Sequence, residues 1–237
     1  MPSGYINTKL LLDDHIDNIN NYVQPAELAQ YESRPCTLFT FTRQPANDRF
    51  VTRIGGLAAW PASDEWPTCV DCEEHLAFVA QFDFRGNDSV HFDTLLFHYC
   101  FSCNPWEPSG SAVVSLLNLD PSTELVEESI VPVELEDNEP GPCFGVPHEL
   151  TDYSDDLCAM ATKIGGFPPE IQPMDAVTDS AAKPMEFLAC LGGVEGMELE
   201  KIESTPAVGD LTWGDVGCIY FWYSPNQKEV SWTWACY

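Results

Sequence analysis

The sequence predicts an α+β fold that is mostly β, with a short helical N-terminus followed by two β-rich halves. Three observations lead to this prediction. After residue 35, short runs of β-branched and aromatic residues are separated by clusters of Pro, Gly, Asn and Asp, as in strands joined by turns. Before that point, apolar residues recur with helical spacing. Segments of the first half also recur in the second half at nearly constant offsets.

Helices are predicted only in the segment 1–35. The run TKLLLDDHIDNIN at 8–20 places apolar residues on one helix face, and Pro25 opens a second short helix, AELAQYES. Strands follow, because the spacing of apolar residues changes from helical to alternating. In chain order they are CTLFTFT (36–42), RFVTRI (49–54), HLAFVAQFDF (75–84), DTLLFHYCFS (93–102), SAVVSLLNL (111–119) and ESIVPVEL (128–135).

An internal repeat organises the chain. The segment TRIGGLAAWP at 52–61 recurs as TKIGGFPPEI at 162–171, and LAFVAQFD at 76–83 recurs as MEFLACLG at 185–192, so the two offsets are nearly equal. A weaker match pairs LFHYCFSCNP at 96–105 with CIYFWYSPNQ at 218–227, at a larger offset. Similarity at a fixed period indicates repeated units. We therefore predict a single duplicated domain over 1–237, comprising a helical segment (1–35), a first half (36–140) and a pseudo-symmetric second half (141–237).

Each copy contains a Gly-Gly pair, Gly55-Gly56 and Gly165-Gly166, directly after a strand-like run. Glycine accepts the positive φ angles that other residues avoid, so each pair predicts a turn or a bulge. The alternative is a close approach of the backbone to a ligand.

Two Cys-X-X-Cys pairs in the first half predict a metal site. The pair Cys69 and Cys72 is followed, after a predicted hairpin, by the pair Cys100 and Cys103. Two such pairs supply the four thiolates that Zn²⁺ binds tetrahedrally, and a site with four protein ligands has no open position for water, so it predicts a structural zinc. The alternatives are cysteines that pack in a core and a redox pair at Cys69 and Cys72. His75 is a further candidate ligand.

The charge is strongly one-sided. The chain has 237 residues with 10 Lys and Arg against 38 Asp and Glu, which gives a net charge of −28. Such a surface repels nucleic acid and anionic membranes and attracts basic proteins. The long segment between Arg85 and Lys163 contains no Lys or Arg and is rich in Asp and Glu. Its densest acidic part, a candidate partner-binding surface, comprises Glu124, Glu127, Glu128, Glu134, Glu136, Asp137 and Glu139.

Two interpretations of these carboxylates stay open. They keep the protein soluble without any partner, or they mimic a phosphate backbone and occupy the basic groove of a nuclease or a ribosomal protein. Trp60, Trp66 and Trp106 are candidate apolar anchors for such a partner, and equally candidate core residues.

Catalytic motifs are absent from the sequence. The chain contains no GxxxxGK[ST], GxGxxG, HExxH or GxSxG pattern. The prediction is therefore a non-enzymatic protein. The N-terminus has no basic leader with a long apolar stretch, and no run of apolar residues is long enough to span a membrane, which predicts a cytoplasmic location.

The run TRIGGLAAWPASDEWPTCVDCEEHLAFVAQFDF at 52–84 resembles the YwqG-like family, a bacterial domain with the pattern Ile/Leu-Gly-Gly, Trp-Pro-X-Cys-X-X-Cys and Leu-X-Phe-Leu-X-Gln. KIGGFPPEIQ at 163–172 and the end of the chain, LTWGDVGCIYFWYSPNQKEVSWTWACY, are similar to the same family, so the resemblance covers most of 50–237. Cys190 departs from the Gln that the second copy commonly has, whereas Gln81 keeps it in the first copy.

The resemblance implies two pseudo-symmetric β-rich halves and no established reaction. It implies protein binding in two forms: YwqG-like domains resemble components of toxin–immunity neighbourhoods, and similar eukaryotic proteins escort a basic ribosomal protein. We expect an immunity protein that neutralises a bacterial toxin nuclease by occluding its basic active-site groove. The alternatives are a chaperone for a basic ribosomal or nucleic-acid-binding protein, and an enzyme or small-molecule binder with a pocket between the halves.

Overall fold

A computed structural model of the protein describes residues 28–42, 44–103, 111–120, 122–128, 142–154, 161–192 and 217–236. Within these residues the fold is mostly β, as predicted, and the strand pairs with a defined register are antiparallel. The ten strands are β1 (Ser33–Thr42), β2 (Arg53–Ile54), β3 (Ala77–Asp83), β4 (Thr94–Tyr99), β5 (Ala112–Leu117), β6 (Cys143–Tyr153), β7 (Lys163–Gly165), β8 (Glu186–Gly192), β9 (Cys218–Ser224) and β10 (Glu229–Ala235).

The predicted helical N-terminus lies outside the described residues up to residue 27, and of its described part, 28–35, only Leu28 is helical. Its last three residues are extended, because β1 begins at Ser33. Pro35 explains this difference, since a proline disfavours the helical conformation of the residue before it. The Pro35 carbonyl instead accepts a hydrogen bond from the backbone N–H of Gly166 at 3.0 Å. The strand predicted at 128–135 also lies outside the described residues, except for Glu128, which is a bend.

The chain divides into two compact units. The continuous unit comprises residues 42–145, and the discontinuous unit comprises residues 1–41 together with 146–237. The boundary at 145 lies slightly beyond the predicted end of the first half at 140. β1, which was predicted to open the first half, belongs instead almost entirely to the discontinuous unit.

The continuous unit has the strand order β6-β2-β3-β4-β5, to which β6 contributes its first residues, Cys143 and Phe144. β3 and β4 are buried on both faces, so their apolar residues form continuous runs and do not alternate with polar residues. A bulge interrupts the register of β3 between Phe78 and Ala80. The centre of this core is formed by Phe82, Leu95, Leu96 and Phe97.

The discontinuous unit has the strand order β10-β9-β8-β7-β1-β6. β8 and β9 are its central strands, and β8 has a bulge between Phe187 and Ala189. Its core is formed by Leu191, Tyr220 and Phe221, which are fully buried. The hydroxyl of Tyr220 donates a hydrogen bond to the Pro169 carbonyl at 2.8 Å, so this buried polar group is satisfied.

The strand registers of the two units match. Arg53 of β2 lies opposite Gln81 of β3, and Lys163 of β7 lies opposite Cys190 of β8. The two stronger sequence matches pair the same positions, since they align Arg53 with Lys163 and Gln81 with Cys190. In both units the bulge of the long strand occupies the same place relative to these pairs.

The third sequence match needs a correction. Ala80 lies opposite Phe97, and Ala189 lies opposite Phe221, so Phe97 corresponds to Phe221. The sequence match had instead aligned Phe97 with Ile219. The sequence match has the wrong register because both strands are short and rich in aromatic residues. A shift by two positions keeps the side chains on the same face of the sheet and still aligns similar residues.

The glycine pairs have φ angles between 65° and 74°, as predicted for turns. A side chain is also excluded by packing, because a Cβ on Gly56 would lie 2.7 Å from the Cβ of Pro142. A Cβ on Gly166 would collide with the Asp152 carboxylate. Both second glycines thus permit close approach within the protein itself, which confirms the structural interpretation.

Candidate metal centre

Cys69 and Cys72 lie on a tight turn that precedes β3. The backbone N–H of Cys69 donates to the carbonyl of Glu74 at 2.8 Å, and its carbonyl accepts from the N–H of Glu73 at 3.0 Å. Glu73 has a φ of 62°, which reverses the chain directly after Cys72. The N–H groups of Asp71 and Cys72 hydrogen-bond to the Cys69 thiol. The turn therefore presents a sulfur ligand whose environment is lined by amide donors.

Cys100 and Cys103 form a second turn directly after β4. The N–H of Cys100 donates to the carbonyl of Ser111 at 2.7 Å, which fixes the first cysteine beside the start of β5. The N–H groups of Ser102 and Cys103 hydrogen-bond to the Cys100 thiol. The first cysteine of each pair therefore accepts two backbone N–H groups, and the two turns are built in the same way.

The antiparallel pairing of β3 and β4 brings the two turns together. The Sγ atoms of all four cysteines lie within 4.8 Å of one another. Cys69 Sγ is 3.7 Å from Cys103 Sγ, and Cys72 Sγ is 3.7 Å from Cys100 Sγ. Four thiolates bound tetrahedrally at a Zn–S distance of about 2.3 Å would be about 3.8 Å apart. The predicted cysteine cluster is thus present, and these two spacings are close to those of a tetrahedral metal site.

The alternatives raised by the sequence fit less well. His75 is exposed, pairs with Thr68 across the base of the first turn, and is not one of the clustered ligands. The four cysteines are free thiols, and their 3.7 Å contacts far exceed a disulfide bond of about 2.05 Å. The contacts also pair the first turn with the second, whereas the redox interpretation needs Cys69 bonded to Cys72.

The thiols differ in their electrostatic environments. Burial raises the pKa of Cys69, but hydrogen bonds from the N–H groups of Cys72 and Asp71 outweigh it and the net shift is downward. At Cys100, burial dominates and raises the pKa. The contact with Cys72 raises the pKa of Cys103. Four adjacent thiolates repel one another, so a cation at their centre is required to keep all four ionised.

The cluster is compatible with a structural metal such as zinc. Soft thiolate ligands suit zinc and iron–sulfur centres and do not suit Mg²⁺ or Ca²⁺, and four thiolates fill the coordination sphere of zinc. Such a site holds chain segments together and leaves no position at which a water or a substrate binds. It joins the turn before β3 to the turn after β4.

Four of the five remaining described cysteines pack in the cores. Cys36, Cys143, Cys190 and Cys218 are buried, as expected of free cysteines that act as small apolar residues. Cys190 donates its S–H to the Ala161 carbonyl at 3.0 Å. Cys236 is half-buried, and Cys158 lies outside the described residues.

Gln81 has a structural role. It is fully buried, its Oε1 accepts the N–H of Ala59 at 2.9 Å, and its Nε2 donates to the carbonyls of Arg49 and Val51, both at 3.0 Å. One side chain thereby satisfies three backbone groups of neighbouring loops. In the discontinuous unit the position that corresponds to Gln81 is occupied by Cys190, whose thiol takes the place of the Gln side chain. The departure from Gln at that position therefore has a local structural explanation.

The discontinuous unit has a related turn without cysteines. Thr178 and Pro184 pair across its base, and the N–H of Asp179 donates to the Lys183 carbonyl at 2.9 Å. Asp179 therefore occupies the place that Cys69 has in the continuous unit. Its carboxylate accepts a hydrogen bond from the hydroxyl of Ser224 at 2.6 Å.

Ser224 occupies the place of Cys100. It follows Tyr223, which lies opposite Glu186 in the register that places Tyr99 opposite Ala77. A direct hydrogen bond thus links the two segments of the discontinuous unit that correspond to the cysteine turns. This substitution was not recognised in the sequence, although extension of the first repeat match aligns Asp179 with Cys69.

Two of the three tryptophans considered as partner anchors belong to the core. Trp60 and Trp66 are buried, and their indole N–H groups donate to the carbonyls of Asp64 and Leu76. They pack against the His98 ring at centroid distances of 5.3 and 4.9 Å. Neither presents an exposed face to a partner. Trp106 lies outside the described residues.

The acidic residues are placed in part. Glu124, Glu127 and Glu128 are exposed on the segment 122–128. Backbone hydrogen bonds from the Ala62 N–H to the Glu124 carbonyl and from the Val126 N–H to the Trp60 carbonyl, at 2.8 and 2.9 Å, hold this segment against the continuous unit. The other four predicted partner-binding residues, Glu134, Glu136, Asp137 and Glu139, lie outside the described residues.

No protein-family model and no curated protein matches the chain. The resemblance to the YwqG-like family therefore stays a prediction. No helix among the described residues is long and apolar enough to cross a membrane.

Proposed function

We propose that the chain is a non-enzymatic binder of a basic protein and that it acts through exposed carboxylates. The observation that carries this proposal is where the basic residues that the structure describes lie and what they contact. Arg49 and Arg53 donate to backbone carbonyls inside the continuous unit, including those of Ala58 and Leu57. Their charges stabilise loops and add little to the exposed surface.

Two more bases are neutralised by carboxylates. Arg85 contacts Asp48 and Asp83, each at 2.6 Å. Lys163 is fully buried and pairs with the equally buried Asp152 at 2.6 Å. Of the other described basic residues, Arg34 lies 3.7 Å from Glu32, and Lys183 and Lys228 are exposed. Few of the described basic residues thus leave an unopposed positive charge on the surface, which agrees with the net charge of −28.

The exposed acidic segment offers an anchored surface for the partner. Glu124, Glu127 and Glu128 project from a segment whose backbone is hydrogen-bonded on both sides of Leu125. Carboxylates on a fixed backbone lose less entropy on binding than carboxylates on a free loop. They also steer a cationic partner toward this surface over about 8 Å at physiological ionic strength.

The specific form that we propose is an immunity-type inhibitor. A toxin nuclease has a basic groove for its phosphate substrate, and a row of carboxylates competes with phosphates for the same Arg and Lys side chains. Occlusion of that groove inhibits the toxin without any catalytic residue in the inhibitor. The proposal places the protein in the cytoplasm, where the substrate nucleic acid of such a toxin lies.

The cysteine cluster serves this function indirectly. We assign it a structural Zn²⁺, bound by Cys69, Cys72, Cys100 and Cys103, because the Sγ spacings and the closed ligand set fit that ion. The metal fixes two turns of the unit that carries the acidic segment. The matched registers support a duplicated domain, in which the second copy has the Asp179–Ser224 hydrogen bond at the place of the cysteine cluster.

Affinity purification from the native cell, with parallel washes at low salt and at about 0.5 M salt, tests the proposal. We expect one basic protein at equal stoichiometry, released by the high-salt wash. The triple variant Glu124→Gln, Glu127→Gln, Glu128→Gln should no longer recover this basic protein. The control variant Glu65→Gln, Glu74→Gln, Asp88→Asn changes the net charge equally at other exposed positions and should retain it.

The other outcomes separate the alternatives. Recovery of many ribosomal proteins in place of one toxin would favour a chaperone. Recovery of no basic protein at low salt would contradict the proposal and would leave solubility as the function of the acidic surface.

A further inference from the structure

The discontinuous unit contains a pocket of about 1090 Å³, and the described residues that line it all belong to this unit. Its apolar lining comes from Phe167, Met185, Phe187 and Trp222. Phe187 and Trp222 meet edge to face at 5.8 Å, and both rings are only half-buried. The Trp222 indole N–H donates to the Thr233 hydroxyl at 2.8 Å, which fixes the orientation of its ring. The pocket therefore has a preformed aromatic surface.

The corresponding place in the continuous unit is filled. There Trp60 and Trp66 pack on Phe78 and His98 in one buried cluster. The alignment of the repeat places Glu170 and Ala176 at the positions of these two tryptophans. The discontinuous unit thus has no counterpart of these two indole rings, and Phe187 and Trp222, at the positions of Phe78 and His98, line a pocket.

The rim of the pocket is acidic. Glu32, Glu170 and Glu186 line it and are exposed, and Arg34 is the basic residue among its lining residues. Three carboxylates against one guanidinium leave the rim with a net negative charge. The charge complements a cation, and the aromatic surface complements a cation that tolerates loss of water.

Arg34 shows which cation suits this environment. Its guanidinium carbon lies 4.3 Å from the centroid of the Phe167 ring, and its side chain is 52% exposed. A planar guanidinium stacks on aromatic rings and is more weakly hydrated than an ammonium group. The pocket thus already holds one guanidinium at its edge and has room for another at Phe187 and Trp222.

We infer that this pocket binds an arginine side chain of the basic partner. Phe187 and Trp222 would contact the guanidinium face, and Glu170 and Glu186 would pair with its N–H groups. The inference rests on the proposed function and adds a second contact to it, in the unit that does not carry the acidic segment 122–128. The contact also requires an arginine in the partner, whereas attraction by net charge alone does not distinguish arginine from lysine.

Fluorescence anisotropy with labelled hexa-arginine and hexa-lysine peptides tests this inference. We expect the intact protein to bind hexa-arginine more tightly by about threefold or more, which is the size of one exposed cation–π contact. The variant Glu170→Gln, Glu186→Gln should lose this preference. The control variant Glu127→Gln, Glu128→Gln has the same net charge as the variant Glu170→Gln, Glu186→Gln. It should weaken the binding of both peptides equally and should keep the preference for hexa-arginine.

A second variant tests the pocket by filling it. Glu170→Trp introduces the residue that the continuous unit has at this position, Trp60, and should abolish the arginine preference with the fold retained in circular dichroism. Equal binding of both peptides by the intact protein would overturn the inference and leave the proposed function standing. Failure of both peptides to bind at low salt would overturn the inference and also contradict the proposed function.

Discussion

The burial of His98 predicts a loss of stability at mildly acidic pH. His98 is fully buried on β4, and among the described residues neither of its ring nitrogens has a hydrogen-bond partner. Its neighbours are the rings of Trp60, Trp66 and Phe78, at centroid distances from 4.9 to 5.7 Å. This burial lowers the pKa of His98 from 6.5 to about 3. The folded protein therefore keeps this imidazole neutral in conditions in which the unfolded chain protonates it.

The sign and size of the effect follow from proton linkage. Between pH 6.5 and about 3 the unfolded state binds more protons at His98 than the folded state, so the free energy of unfolding falls as the pH falls through this window. Each pKa unit corresponds to about 1.4 kcal/mol, so the loss from His98 is about 3 kcal/mol near pH 4.5. Above pH 6.5 the residue contributes no pH dependence.

The variant His98→Phe isolates this contribution. Phenylalanine keeps an aromatic ring in the cluster and removes two unsatisfied nitrogens, so we expect equal or greater stability near pH 7. Urea unfolding of both proteins at about pH 7 and pH 4.5 measures the free energies of unfolding. Acid effects on the cysteines and on the surface carboxylates are common to both proteins. Equal losses of stability in the two proteins would refute the reasoning, whereas we expect a difference of about 3 kcal/mol.

Two further predictions concern buried polar groups. Asp152→Ala leaves the fully buried Lys163 without its carboxylate. We expect urea unfolding to show a loss of about 3–5 kcal/mol of stability. A loss below about 1 kcal/mol would show that water reaches Lys163. Gln81→Leu removes the partners of three backbone groups and should lower the free energy of unfolding by about 3 kcal/mol or more. Cys190→Ala, at the matching position, should lower it by less. Similar losses from both variants would contradict the bridging role of Gln81.

Much of the fold could be predicted because the relevant signals are local. The strands β3 and β4 follow from dense β-branched and aromatic runs bounded by turn residues. The cysteine cluster follows from two Cys-X-X-Cys pairs with a hairpin between them, which returns Cys100 beside Cys69. The strands are thus predicted by local runs of residues, and a single hairpin brings the two cysteine pairs together although the contacting cysteines are 28 and 34 positions apart.

Other features could not be predicted because they depend on packing between distant segments. Nothing near Lys163 in sequence shows that Asp152 meets it in the core, and nothing near β1 shows that it pairs with β7 instead of with the first half. His98 resembles any histidine in a strand until its neighbours are known. The repeat did contain the signal for the pocket, since it aligns Glu170 with Trp60, but the sequence does not show whether another side chain fills the space.

The measurement that tests the account most directly is the zinc content of the purified protein, together with its stability after chelation. We predict about one zinc per chain, with loss of zinc and several kcal/mol of stability in Cys69→Ser and in Cys103→Ser. Val70→Ser, at a neighbouring residue that is 70% exposed, is the control and should keep both. A metal-free protein that is fully stable, or cysteine variants that unfold like the intact protein, would contradict a structural metal centre.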